Sequence, residues 1–173
     1  MKKLKKNIEN FFLICFLTKK LYYMYQYANN ACGTVGILHS ILNLIEKHTD
    51  LVKPESFIHK FYKETKDKTP KERGEQLVQS HSIEEAHKKA VEKGETQVEE
   101  EVNTHFICFV EKDGDLYELD GRKEFPINHG PTSVENILKD ACREVKKFMD
   151  RDPDELRFTT LVLARSESVE DGN

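Results

Sequence analysis

Asp113-Gly114 constrains this chain more than any other pair of residues, because it stands between two apolar runs at 104–110 and 116–119. Both residue types tolerate positive φ, and an Asp-Gly pair between alternating apolar runs marks a two-residue hairpin turn. Such a turn sets the register: Ile107 faces Asp120, and His105 faces Arg122. Side chains alternate along a strand, so His105 and Ile107 share one face. Asp120 then lies on the face of His105, one diagonal step away at roughly 7–8 Å between Cα atoms, which side chains can bridge. A carboxylate on one ring nitrogen sets the tautomer and orientation of an imidazole.

The rest of the chain reads as helices and strands around that hairpin. Residues 21–25 are aromatic and apolar and predict a strand, with Asn29 and Asn30 as the turn that follows. From Cys32 to about 47, Val35, Leu38, Ile41, Leu42 and Ile45 recur at helical spacing and predict a largely buried helix. Helices are also expected over 54–69, 70–81 and the amphipathic stretch 132–149. A further strand is expected over 158–164. Residues 82–103 are polar and low in large apolar side chains, which predicts a long loop. Helices mixed with hairpin-linked strands give an α+β class with a central antiparallel sheet flanked by helices. The expected organisation is an atypical segment at 1–20, one domain at 21–165 and a polar tail at 166–173.

Composition excludes several classes. The net charge of −4, with Lys and Arg spread among acids, argues against a nucleic-acid surface. The apolar run at 11–17 is too short to cross a bilayer as a helix, and Lys19 and Lys20 follow it, so no membrane association is expected. Cys15, Cys32, Cys108 and Cys142 include no CxxC pair, so no disulfide scaffold and no metal site are expected, and the setting is read as reduced and cytoplasmic. Cys108 and Cys142 are assigned structural roles, and His129 a turn role. His48, His59, His81 and His87 are read as exposed. His39, seven residues after Cys32 on one helix, stands about 10 Å from it, too far for a direct hydrogen bond.

Cys32 opens a helix, where the partial positive charge of a helix N-terminus favours a thiolate. Gln26, six residues earlier at the end of the preceding strand, offers an amide that can donate to an oxyanion. The order Gln26, Cys32, His105, Asp120 is the division of labour of a papain-like thiol hydrolase: oxyanion donor, nucleophile, base and orienter. It specifies acyl transfer without naming a substrate.

Residues 30–36, Asn-Ala-Cys-Gly-Thr-Val-Gly, resemble the active-site segment of the ubiquitin C-terminal hydrolases. His105-Phe106, Asp113-Gly114, the run Leu116-Tyr117-Glu118-Leu119-Asp120-Gly121-Arg122 and Phe125-Pro126-Ile127-Asn128-His129-Gly130 resemble that family's second block. Residues 151–158 resemble its C-terminal region. The likeness covers about 21–165, is greatest to the short single-domain members, and implies the same four site residues. It also implies cleavage after the C-terminal glycine of ubiquitin or a related modifier, small ubiquitin adducts as partners, and no cofactor. Residues 82–103 occupy the place of the family's crossover loop. Residues 1–20 do not resemble the family's longer N-terminal region, so the chain is read as N-terminally shortened. The rival expectations are a non-catalytic ubiquitin-binding isoform and a papain-like peptidase with another substrate class.

Overall fold

The computed structural model describes residues 21–80 and 104–164. The expected N-terminal segment, crossover loop and polar tail lie outside the described residues.

Helix α1 (Cys32–Leu44) buries Cys32, Val35, Leu38, His39, Leu42 and Asn43, a single stripe at the spacing the sequence predicts. Helix α2 (Phe57–Thr65) starts at Ser56, whose side chain accepts from the His59 N–H. Helix α3 (Pro70–Val78) starts at Thr69, which forms a reciprocal capping box with Glu72 and precedes a proline in the first turn. All three are shorter than the expected ranges: α1 stops at Leu44, α2 falls short at both ends of 54–69, and α3 stops at Val78.

The hairpin forms in the predicted register. Strands β1 (Cys108–Lys112) and β2 (Asp115–Leu119) pair antiparallel from Lys112 with Asp115 to Cys108 with Leu119. Asp113 and Gly114 sit at φ 55° and 86°, the double positive φ of a type I′ turn. Strand β3 (Ile127–Pro131) joins β2 on its other side, with an irregularity where Asp115 meets Pro131 and Tyr117 meets Asn128. Gly130 there takes φ 95°, and its N–H donates to Asn128 Oδ1 at 2.6 Å.

Residues 21–25 are extended, buried as far as Met24 and half-buried at Tyr25, but join no ladder among the described residues, which corrects the expected strand. Their backbone groups are claimed by side chains and, at Tyr25, by another stretch of backbone. Asn43 brackets Tyr22, accepting its N–H at 2.7 Å and donating to its carbonyl at 2.9 Å. His39 Nε2 accepts the Met24 N–H at 3.1 Å, and the Arg73 guanidinium donates to the Tyr23 carbonyl at 3.0 Å. The Tyr25 N–H reaches the Pro70 carbonyl at 3.0 Å. These contacts satisfy the polar groups a ladder would otherwise take. Alternation still operates: Tyr22 and Met24 enter a core with α1, Phe61 and Leu77, while Leu21 and Tyr23 enter one with Cys108, Val110, Tyr117 and Leu119. The segment is thus a buried spine between helices and sheet.

Helix α4 (Ile137–Met149) packs on β1 and β2 but buries no residue completely, and Val134 and Leu138 of its expected apolar face are 74% and 51% exposed. A polar side-chain bridge helps to dock it. His129, on β3 and not in a turn as expected, places Nε2 2.9 Å from buried Glu118 and Nδ1 3.0 Å from Glu144 of α4. Glu118 also pairs with Lys123. The expected strand at 158–164 does not form: its residues find no ladder partner among those described, and Leu161 is 82% exposed. Cys142 is exposed on α4, which corrects its structural assignment, and His59 is half-buried where exposure was expected. No helix among the described residues is long and apolar enough to cross a membrane.

Candidate active site

Cys32 is the first residue of α1 and is buried. Asn30, at φ 62°, turns the chain into the helix in a left-handed conformation that asparagine tolerates better than most residues. Ala31 provides no side-chain cap, so the positive end of the helix dipole falls at Cys32. A Cβ added at Gly33 would stand 3.8 Å from the Phe106 ring, so the first turn of α1 lies beside the residue that follows His105.

His105 and Asp120 meet as the hairpin register requires. His105 Nε2 is 2.7 Å from Asp120 Oδ1, and the same oxygen accepts the Arg122 N–H at 3.0 Å. Asp120 is almost fully buried and His105 partly so. With the carboxylate accepting at Nε2, the ring presents Nδ1 as its other nitrogen, and that atom is buried without a hydrogen-bond partner. The Cys32 thiol therefore does not reach it in this structure.

Gln26 is anchored through its backbone, its N–H donating to the Gly121 carbonyl at 2.8 Å. The fit is tight: a Cβ at Gly121 would come within 3.0 Å of both Gln26 Cβ and Val35 Cγ1. The residue after Asp120, the spine and the first turn of α1 thus meet at one point. The Gln26 amide donates to the Ala28 carbonyl at 3.2 Å. Among the described residues, no three His, Cys, Asp or Glu side chains gather as a metal site.

Sequence reasoning missed the residues that hold this arrangement. His39 is fully buried, stacks on Tyr23 at 5.1 Å between ring centroids, and has its pKa pushed down to about 4 by burial. Its neutral Nε2 is what accepts the Met24 N–H. Arg73, also buried, donates to the carbonyls of Thr65, Lys66 and Tyr23 and lies over the Tyr22 ring. Burial raises the Tyr22 phenol to about 12. Only the helical positions of His39 and Asn43 hinted at burial, and nothing in the sequence named their partners. Cys108 is buried behind the sheet, and burial pushes its thiol up to about 12.

A family model described as ubiquitin carboxyl-terminal hydrolase, family 1, matches residues 5–150. A Drosophila melanogaster ubiquitin carboxyl-terminal hydrolase is 44% identical over 85% of this chain and 64% of its own length. Arabidopsis thaliana ubiquitin carboxyl-terminal hydrolase 3 is 42% identical, over 84% of this chain and 62% of its own. Human ubiquitin carboxyl-terminal hydrolase isozyme L1 is 36% identical, over 87% and 66%. The chain thus spans slightly less than two thirds of the length of these relatives. Among solved structures, the catalytic domain of Trichinella spiralis UCH37 bound to ubiquitin vinyl methyl ester superposes with a TM-score of 0.67. It covers 82% of this chain and 62% of that one at 24% identity. The α+β, papain-like thiol-hydrolase fold expected from the sequence is the fold shared with that domain.

Proposed function

The chain belongs to family 1 of the ubiquitin carboxyl-terminal hydrolases, and on that premise we propose that it hydrolyses bonds after the C-terminal glycine of ubiquitin or a related modifier. Cys32 is the nucleophile, His105 the base, Asp120 the orienter and Gln26 the oxyanion donor. His105 Nδ1 takes the thiol proton as Cys32 Sγ attacks the glycine carbonyl. The Gln26 amide, which has a second N–H beyond the one on Ala28, donates to the oxyanion. The intermediate collapses to a thioester, and the leaving group departs with the proton from His105. Water, deprotonated by His105, then attacks the thioester; the carboxylic acid leaves and the thiol is restored. A reduced, cytoplasmic setting belongs to the same reading, because the nucleophile must remain a free thiol.

The observation that carries this reading is the state of His105. One nitrogen is held by Asp120 at 2.7 Å, while the other is buried without a hydrogen-bond partner, and the next residue, Phe106, lies against Gly33 in the first turn of the helix that Cys32 opens. Apo hydrogen bonds of this kind commonly tighten only with substrate bound. A second reading, modifier binding without turnover, draws on the exposure of Leu156 and Leu161, 86% and 82%, in a family-like segment. Labelling of the full chain with a ubiquitin probe bearing a C-terminal electrophile, beside Cys32→Ala, separates the two. Covalent labelling that Cys32→Ala abolishes supports hydrolysis. Non-covalent capture without labelling, in protein with a cooperative thermal transition, supports binding alone. Neither labelling nor capture sinks both.

A further inference from the structure

Two tyrosines on the spine reach the turn that follows Asp120, and the proposed chemistry uses neither. Alternation along an extended chain puts Tyr23, Tyr25 and Tyr27 on one side. Their rings meet edge to face, at 6.0 Å between Tyr23 and Tyr25 and 6.3 Å between Tyr25 and Tyr27. The Tyr23 hydroxyl lies 2.5 Å from the Asp120 carbonyl and 2.7 Å from the Lys123 carbonyl, sharing its single proton between them. The Tyr25 hydroxyl donates to the Glu124 carbonyl at 3.0 Å. With the Gln26 N–H on Gly121, the spine grips the turn at 120, 121, 123 and 124.

This grip comes where the sheet stops supporting the chain. The ladder of β1 and β2 ends at Cys108 and Leu119, one residue short of Asp120. The Asp120 carbonyl is instead held by the Tyr23 hydroxyl and by the Lys123 N–H at 2.9 Å. We propose that the hydroxyls of Tyr23 and Tyr25 form a clasp that positions Asp120 against His105, which makes Tyr23 a positioning residue of the site. Tyr23 is fully buried, and burial, with Asp120 next in weight, raises its phenol well above the ordinary range, so the hydroxyl stays a donor. Removing it strips buried carbonyls of a partner and frees the turn to shift. A shift there moves the carboxylate that sets the imidazole, and catalysis is sensitive to misplacements of about 1 Å.

The inference rests on the site reading above, so its test includes a readout independent of turnover. Protein with isotope-labelled histidine is compared as wild type, Tyr23→Phe, Tyr25→Phe and Tyr27→Phe, the last lying outside the clasp. The reporter is the His105 Nε2 proton bonded to Asp120. In Tyr23→Phe this resonance moves upfield and exchanges faster with water, Tyr25→Phe shows a smaller change in the same direction, and Tyr27→Phe matches wild type. With a ubiquitin C-terminal ester, kcat of Tyr23→Phe falls about three- to tenfold at unchanged KM. A His105 resonance unmoved in Tyr23→Phe, with only a lower melting temperature, overturns the clasp. Should Tyr23→Phe fail to fold, Tyr25→Phe decides, and an unmoved resonance there overturns the clasp equally. Wild type that turns over no ester refutes the function but leaves the resonance comparison to judge the clasp.

Discussion

Gly74→Ala tests the packing of the spine on α3 through the sign of its effect. Helix propensity alone favours alanine at an interior helical position by about 1 kcal/mol. The structure opposes that gain. A Cβ at residue 74 would stand 2.2 Å from the Tyr25 carbonyl oxygen and 3.0 Å from the Tyr27 ring. Ordinary carbon–oxygen contacts lie at about 3.3 Å or more, so spine and helix must part by about 1 Å. Overpacking of this kind costs about 1–3 kcal/mol, and a backbone atom that cannot rotate away places this case at the upper end. Parting also weakens the Tyr25 N–H bond to the Pro70 carbonyl, worth about 1 kcal/mol. The net expectation is a loss of about 2–3 kcal/mol, or about 4–12 °C in Tm for a chain of this size. Calorimetric melts of the two proteins in one buffer measure it. Because Gln26 follows Tyr25 directly, Cys32 labelling by the ubiquitin probe should slow in parallel. A Tm equal to or above wild type would refute the reasoning, since propensity would then have outweighed contact.

Two further outcomes follow from buried titrating groups. Burial holds His39 at about 4, below its ordinary value of 6.5, so the unfolded chain takes up a proton that the folded chain refuses. The associated stability is fully present above about 6.5 and is lost as pH falls towards 4, by about 3 kcal/mol in all. Urea unfolding at several pH values should show this decline, and His39→Gln should flatten it; an equal slope in the variant would contradict the assignment. The Cys108 thiol, raised by burial to about 12, should resist iodoacetamide near neutral pH while exposed Cys142 is modified, as mapped by mass spectrometry of native protein. Modification of Cys108 at the rate of Cys142 would show that the sheet does not bury it.

The pair His105 and Asp120 was legible because a two-residue turn and strict alternation are local rules. Once Asp113 and Gly114 adopt positive φ, every opposing pair follows, and the diagonal contact closes at 2.7 Å. The start of α1 at Cys32 was legible for the same reason, since the preceding turn residues and the apolar stripe lie within a few residues of each other. Residues 21–25 mark the limit. Their alternation reported burial on two sides correctly, but a strand also needs a partner, and the groups that took its place come from Asn43, His39 and Arg73. Residues 158–164 are β-branched and apolar, yet 159–164 remain exposed, because propensity describes what a strand can pack against and supplies no neighbour. His129 shows the same limit on β3, where its role depends on carboxylates from β2 and α4.

The sequence by itself determined the hairpin register, with His105 and Asp120 on one face, and the helical stripe behind Cys32, since each is written in neighbours a turn or a strand apart. Only the tertiary structure decided that a buried histidine and an arginine bond the spine that leads to Gln26, and that two tyrosine hydroxyls bond the turn at and after Asp120. Their partners lie between 7 and 100 residues away along the chain, most of them in other elements, and hydrogen bonds between elements leave no periodic trace.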